Sequence, residues 1–166
     1  MNFINTFFEG ADDYIQAFNQ WAKQIVPPAI VDHLCFKCGS KSEFEDLRRL
    51  FELSAPFLYQ SVIAGRLIAI IKLPKPIVTA LGEIHYLELS DQKPDNSQIS
   101  GFDHIEIYPK EGEIEVFVEE LSKKGIGANK VVRPHHTTYD YFLKDQFKIR
   151  IESEPLIEKI KLEEMQ

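Results

Sequence analysis

Cysteine is scarce in this chain. Cys35 and Cys38 are its only two in 166 residues, which excludes a scaffold built on disulfides. Their C-x-x-C spacing has no second pair to complete a zinc site. They also fall along an expected strand, where alternation sends them to opposite faces, whereas a redox pair sits at a helix start. Two separate reduced thiols in a reducing compartment are expected, with a disulfide as the lesser alternative and the cytoplasm as the address. Basic clusters are equally sparse. Lys and Arg number 19 against 26 Asp and Glu, a net charge of -7, and only Lys123-Lys124 and Arg48-Arg49 stand together. Binding a nucleic-acid backbone releases counterions around such clusters, so no nucleic-acid partner is expected, nor an anionic membrane surface. Long apolar runs are missing too. Leu67 to Ile71 is far short of a bilayer span. The first residues have no basic stretch before their apolar ones and carry Asp12 and Asp13, unlike a signal peptide.

What is present is a globular composition, 44% hydrophobic and 27% charged, enough for one core. Phe3, Phe7, Tyr14, Phe18, Trp21 and Ala22 recur at helical spacing over residues 3–24, with a possible break at Gly10. Pro27 and Pro28 end that pattern. A strand over Ile30–Lys37 and a helix over Lys41–Phe51 follow. Strands are expected over Phe57–Val62, Arg66–Leu73 and Glu83–Leu89, punctuated by Gly65, Pro74, Pro76 and Gly82. Residues 91–100 are polar and aperiodic, a linker. The order then begins again: a strand over Phe102–Tyr108, a helix over Glu113–Lys124 closed by Gly125, and strands over 129–133, 138–143 and 147–152. A terminal helix is expected over Glu154–Glu163. The reading is an α+β fold: an added N-terminal helix (1–28), a first β-α-β-β-β module (29–90), the linker, a second module (101–154) and a tail (155–166). The two modules lie side by side and form a curved mixed-sheet cleft.

The repeat is visible in residues as well as elements. Val31-Asp32-His33-Leu34-Cys35-Phe36 opens one half and Phe102-Asp103-His104-Ile105-Glu106-Ile107 the other, as internal duplication would produce. Alternation then sorts faces. Leu34 and Phe36 oppose His33, Cys35 and Lys37; Ile105 and Ile107 oppose His104, Glu106 and Tyr108. Leu87 and Leu89 oppose Ile84, Tyr86 and Glu88, while Phe147, Ile149 and Ile151 oppose Lys148, Arg150 and Glu152. His85 shares the parity of Leu87 and reads as structural. The second face therefore offers His33, Glu88, His104 and Glu152 from the first and last strands of both halves. A solvent face explains a mixture of Lys, Glu, Thr and Ser better than it explains this alternation of imidazole and carboxylate. Two imidazoles and two carboxylates suit a divalent Ni, Zn, Co, Fe or Mn ion.

With these residues the chain resembles the vicinal oxygen chelate superfamily of glyoxalase I and the extradiol dioxygenases, in particular its YecM-like group. Asp32-His33-Leu34, Ala64-Gly65-Arg66, Lys72-Leu73, Leu87-Glu88-Leu89 and Gly101-Phe102-Asp103-His104-Ile105-Glu106-Ile107 carry the resemblance. It implies a metal ligand from the first and last strand of each module, again His33, Glu88, His104 and Glu152. In YecM-like proteins the last position looks like a histidine, whereas this chain has Arg150-Ile151-Glu152-Ser153 there. The wider superfamily uses a carboxylate at that place.

Around the four ligands, Arg66 and Arg150 are candidate contacts for a substrate carboxylate, each with a surface or pairing role as the alternative. Glu106 is a candidate base outside the ligand set, Glu152 a base that leaves the metal transiently, and His136 and Tyr139 with Tyr141 candidate walls. The resemblance implies a metal-dependent lyase, isomerase or epimerase transferring a proton on a small, anionic or oxygen-rich carbonyl or acid metabolite. Two alternatives remain: a non-catalytic metal or metabolite binder, and a structural or protein-interaction domain whose four residues are internal salt bridges. All four positions lie in one chain, so a monomer suffices for the site and a homodimer is equally compatible.

Overall fold

The computed structural model describes residues 2–24, 28–55, 57–63, 65–134 and 136–158. Helices α1 (Phe3–Glu9) and α2 (Asp12–Ala22) come first. They are followed by β1 (Ala29–Lys37), α3 (Lys41–Glu52), β2 (Phe57–Ile63), β3 (Arg66–Thr79) and β4 (Gly82–Ser90). After residues 91–100 come β5 (Gly101–Pro109), α4 (Ile114–Lys123), β6 (Asn129–Val132), β7 (Thr137–Lys144) and β8 (Phe147–Ile151). All strands join one curved mixed sheet in the order β2-β3-β4-β1-β5-β8-β7-β6. β1 runs parallel to β4, and β5 parallel to β8, while β1 and β5 meet antiparallel at the centre. The chain forms the expected α+β fold of two β-α-β-β-β modules side by side.

Local sequence explains the helices. The break anticipated at Gly10 divides the aromatic stripe into α1 and α2. Ser40 caps α3 by accepting from the Glu43 N–H, and the Glu43 carboxylate reaches back to the Gly39 N–H. The same carboxylate accepts from the Ser100 hydroxyl, fastening the end of the linker to α3. Gln92 orders the rest, donating to the carbonyls of Gly39 and Gln98 and accepting from the Lys93 and Gln98 amides.

The core lies between the helices and one face of the sheet. Phe18, Trp21, Phe44, Phe51, Phe117 and Leu121 pack on Leu34, Leu87, Leu89, Ile105, Ile107, Ile149 and Ile151. Each large side chain taken from water stabilises the fold by about 1.5–3 kcal/mol. Phe7 reaches Phe51 from α3, Phe36 from β1 and Phe102 from β5 with ring centroids 5.0–5.2 Å away, so α1 clasps the seam between the halves. Among the described residues no helix is long and apolar enough to cross a membrane.

Some elements differ from the sequence reading. β3 continues past Leu73 to Thr79, with its pairing to β4 irregular between Lys72 and Ile77. Pro74 and Pro76 fall in that interval and supply no ladder donors. Opposite the irregularity β4 turns over, so Ile84 joins the same core as Leu87 and Leu89. His85 is thereby exposed, with its Nε2 3.3 Å from Glu83, rather than facing the core as its parity with Leu87 suggested. Residues 156–158 are helical, and the remainder of the expected terminal helix lies outside the described residues.

Candidate metal centre

β1 and β5 do not pair in even register. Val31 pairs with Ile107 but His33 with Glu106, so Asp32 is an extra residue on β1. Cys35 pairs with His104 but Phe36 with Phe102, so Asp103 is an extra residue on β5. A regular strand sends successive side chains to opposite faces, whereas a bulge re-aims one of them. Each bulged aspartate meets the histidine that follows it: Asp32 Oδ2 lies 2.6 Å from His33 Nδ1, and Asp103 Oδ2 2.7 Å from His104 Nδ1. An ionised carboxylate only accepts, so Nδ1 is the donor in both rings. Both Nε2 atoms are left to face the interior of the site, the arrangement that orients metal-binding histidines.

There they meet two carboxylates. His33 Nε2 is 2.8 Å from Glu88 Oε2 and 3.6 Å from Glu106 Oε2. His104 Nε2 is 3.9 Å and 3.7 Å from the same two oxygens. Ligand atoms of these four residues all lie within 4.8 Å of one another, and the imidazoles and Glu106 are almost wholly buried. Burial opposes a charged His33, but Glu106, Asp32 and Glu88 outweigh it and hold its pKa well above the ordinary value. Burial likewise opposes ionised Glu88, yet the hydrogen bond and charge of His33 bring it down to about 2. The buried Asp103 carboxyl is held well below the usual range by His104, Lys37 and Lys148, whose ammonium groups are 3.0 and 3.1 Å away. His104 Nε2 itself is buried and has no hydrogen-bond partner.

That orphaned atom tests the fit of a divalent ion. With both Nδ1 atoms donating, two neutral imidazoles would set two acceptor nitrogens against two carboxylates, and only a cation or a proton, such as the one His33 shares with Glu88, reconciles them. Bonds of about 2.0–2.2 Å to N and O ligands put two ligands of one ion at most about 4.4 Å apart, a range that includes the four nitrogen–oxygen distances above and lies a little inside the 4.8 Å limit on the whole set. The donor set fits such an ion.

The structure thus gathers His33, Glu88 and His104 from the sequence-derived ligand set, with Glu106 as the fourth member in place of Glu152. Register explains the exchange. Cys35 pairs with Glu88 and Glu106 with Arg150, so Arg150 occupies the place in the second half that Glu88 holds in the first. Glu152 is two residues beyond, buried, with Oε1 3.3 Å from His136 Nε2. Arg150 is engaged by Asp140, Nε to Oδ1 at 2.9 Å and a terminal nitrogen to Oδ2 at 3.1 Å. Arg66 gives both its Nε and a terminal nitrogen to the Asp91 carbonyl. Tyr139 is not a cleft wall: it pairs with Ile151 and is buried in the core on the helical face, together with the partly buried Tyr141. The sequence reading overlooked Arg133, half-buried after β6 with its Nε on the Thr138 hydroxyl. Burial and then Arg150 lower its pKa, against the raising influence of Asp140, Glu152 and Glu106. The repeated Asp before each histidine was the signal for the two bracing carboxylates; nothing comparable marked Asp140 or Arg133. Cys35 and Cys38 are both free and buried, and burial pushes both thiols up.

Fold and cluster together define a class: a paired β-α-β-β-β protein whose two central strands each present an Asp-His step to shared carboxylates. The sequence pattern of the family described as YecM protein matches residues 6–165, and the chain belongs to that family. Protein YecM of Escherichia coli (strain K12) is 28% identical over 97 residues, 57% of this chain. The match spans 52% of that relative, about half its length. The solved structure titled Structural Genomics, Protein EC4020 has the same fold, with a TM-score of 0.67 and 22% identity over 93% of this chain and 91% of that one. A mutant of 4-hydroxymandelate synthase from Streptomyces coelicolor shows only slight likeness, a TM-score of 0.33 and 12% identity over 75% of this chain and 48% of that one.

Proposed function

We propose that His33, Glu88, His104 and Glu106 hold one divalent transition metal, and that the protein is a lyase-, isomerase- or epimerase-type enzyme acting on a small oxygen-rich carbonyl or acid metabolite. The observation that carries this reading is the buried His104 Nε2, which lacks a hydrogen-bond partner beside two carboxylates and a second Nε2. Bound there, the ion would act as a Lewis acid toward neighbouring carbonyl and hydroxyl oxygens of the substrate. Glu152 lies outside the four and is the proton-transferring base, with His136 against its Oε1. Arg133 is the contact for the substrate's negative charge, since Arg150 is committed to Asp140 and Arg66 to a backbone carbonyl. A guanidinium at that place offsets the repulsion an anion meets near Glu88, Glu106 and Glu152.

Elemental analysis of protein purified without an affinity tag tests the centre, and one transition metal per chain is expected. A metal-free protein that takes none up on titration removes the centre and leaves an internal salt-bridge cluster. Solvent-deuterium exchange into a panel of 2-hydroxy and 2-keto acids then tests turnover. Binding without exchange anywhere in the panel replaces the enzyme by a metabolite-binding protein.

A further inference from the structure

The two histidines are braced by equivalent aspartates, but the aspartates are braced differently. Asp103 Oδ2 accepts from His104 and lies 3.0 Å from Lys37 Nζ and 3.1 Å from Lys148 Nζ, on β1 and β8. Its support is part of the sheet. Asp32 Oδ2 accepts from His33 Nδ1 at 2.6 Å and from the backbone N–H of Leu156 at 3.0 Å. Leu156 is 124 residues away in sequence and lies beyond the last strand. The chain leaves β8 at Ile151, passes Glu152, and reaches β1 on the site's face.

An apolar patch holds the segment there. Ile68 and Ile70 of β3 are buried by a small cluster separate from the main core, to which Tyr59, Ile63, Tyr86, Leu156 and Ile157 contribute. Ile68 and Ile70 face away from Ala69 and Ile71, their neighbours on β3 that belong to the main core. Docking of Leu156 and Ile157 therefore shields apolar surface and, in the same step, delivers an amide to Asp32.

We infer that Asp32 is a positioning residue through which the segment 154–158 sets the orientation of His33 at the metal centre. This rests on the metal-centre reading above. Among the described residues the carboxylate oxygen has two donors, and removing the Leu156 amide leaves it His33, free to rotate with the ring. His104, braced by the two lysines, is independent of the segment.

The test separates the amide from the apolar side chain. Leu156 opens the short helical turn of residues 156–158, where proline fits the backbone but has no N–H. Leu156→Pro removes the amide together with most of the apolar side chain, Leu156→Ala removes most of that side chain and keeps the amide, so the difference between them isolates the amide, and a chain ending at Ser153 removes the whole segment. The imidazole Nδ1–H protons of His33 and His104 are followed by NMR in metal-free protein, and Co2+ affinity is measured by spectroscopic titration. In Leu156→Pro the His33 proton should exchange faster with water while that of His104 is unchanged. Its Co2+ affinity should fall about 10-fold, and that of Leu156→Ala by less. The chain ending at Ser153 should repeat the selective loss at His33. An unaltered His33 proton in both Leu156→Pro and the shortened chain overturns the inference, as does equal loss at both histidines. If wild type binds no Co2+ while the His33 proton still depends on Leu156, the metal reading falls and the positioning role stands.

Discussion

The rings of His33 and His104 stand edge to face, 5.7 Å apart between centroids and at 74° between planes. One comes from each half of the chain, and their Nε2 atoms face the same two carboxylate oxygens. Neither ring can lose its place without unbalancing the other's partners. In His104→Ala, metal content should fall by more than the roughly 10- to 100-fold typical of losing an outer-shell partner, as read by elemental analysis. Retention of stoichiometric metal in that variant would contradict the assignment.

Glu106 and Glu152 should separate by phenotype. Glu106→Gln alters a proposed ligand and should lower metal content. Glu152→Gln should keep the metal and lose proton exchange into substrate by about 10²-fold or more, the usual worth of a general base. The reverse pattern would return Glu152 to the ligand set.

Asp140 and Arg150 form a nearly buried pair, with side chains 9% and 12% exposed. Burial opposes ionised Asp140, but the hydrogen bond and charge of Arg150 hold its pKa below the ordinary value. A depressed carboxyl pKa contributes stability above its unfolded value of about 3.9, and that contribution is lost as pH falls through the folded value. Asp140→Asn should cost about 3–5 kcal/mol at neutral pH by leaving Arg150 without its partner charge. The gap from wild type should close below about pH 4, as followed by denaturant unfolding across pH.

Much of this fold was legible in the chain because alternation and helical spacing are local properties. Leu34, Ile105, Leu87 and Ile149 declared the covered face, and the recurring Asp-His declared the duplication. Register is not local. The bulges at Asp32 and Asp103 arise only when β1 meets β5, and they bring two aspartates to histidines from which a regular strand would turn them away. The offset that sets Arg150, not Glu152, level with Glu88 is likewise a property of pairing. Tyr139 was misplaced because a tyrosine suits either face by composition, and only its pairing with Ile151 fixes it in the core.

The clasp of α1 offers a test remote from the site. Phe51 is fully buried against Phe3, Phe7 and Phe8. Phe51→Ala should destabilise the fold by about 3–5 kcal/mol in denaturant titration. Metal content should be unaffected at temperatures where the variant remains folded.

The antiparallel seam of β1 and β5 also sets an order of events. During synthesis the first half emerges with His33 and Glu88 but with nothing to set opposite them. His104 and Glu106 arrive on the strand that closes the seam. A cation held by all four, as proposed, would therefore certify that both halves have been made and joined, and its release would report the parting of the seam.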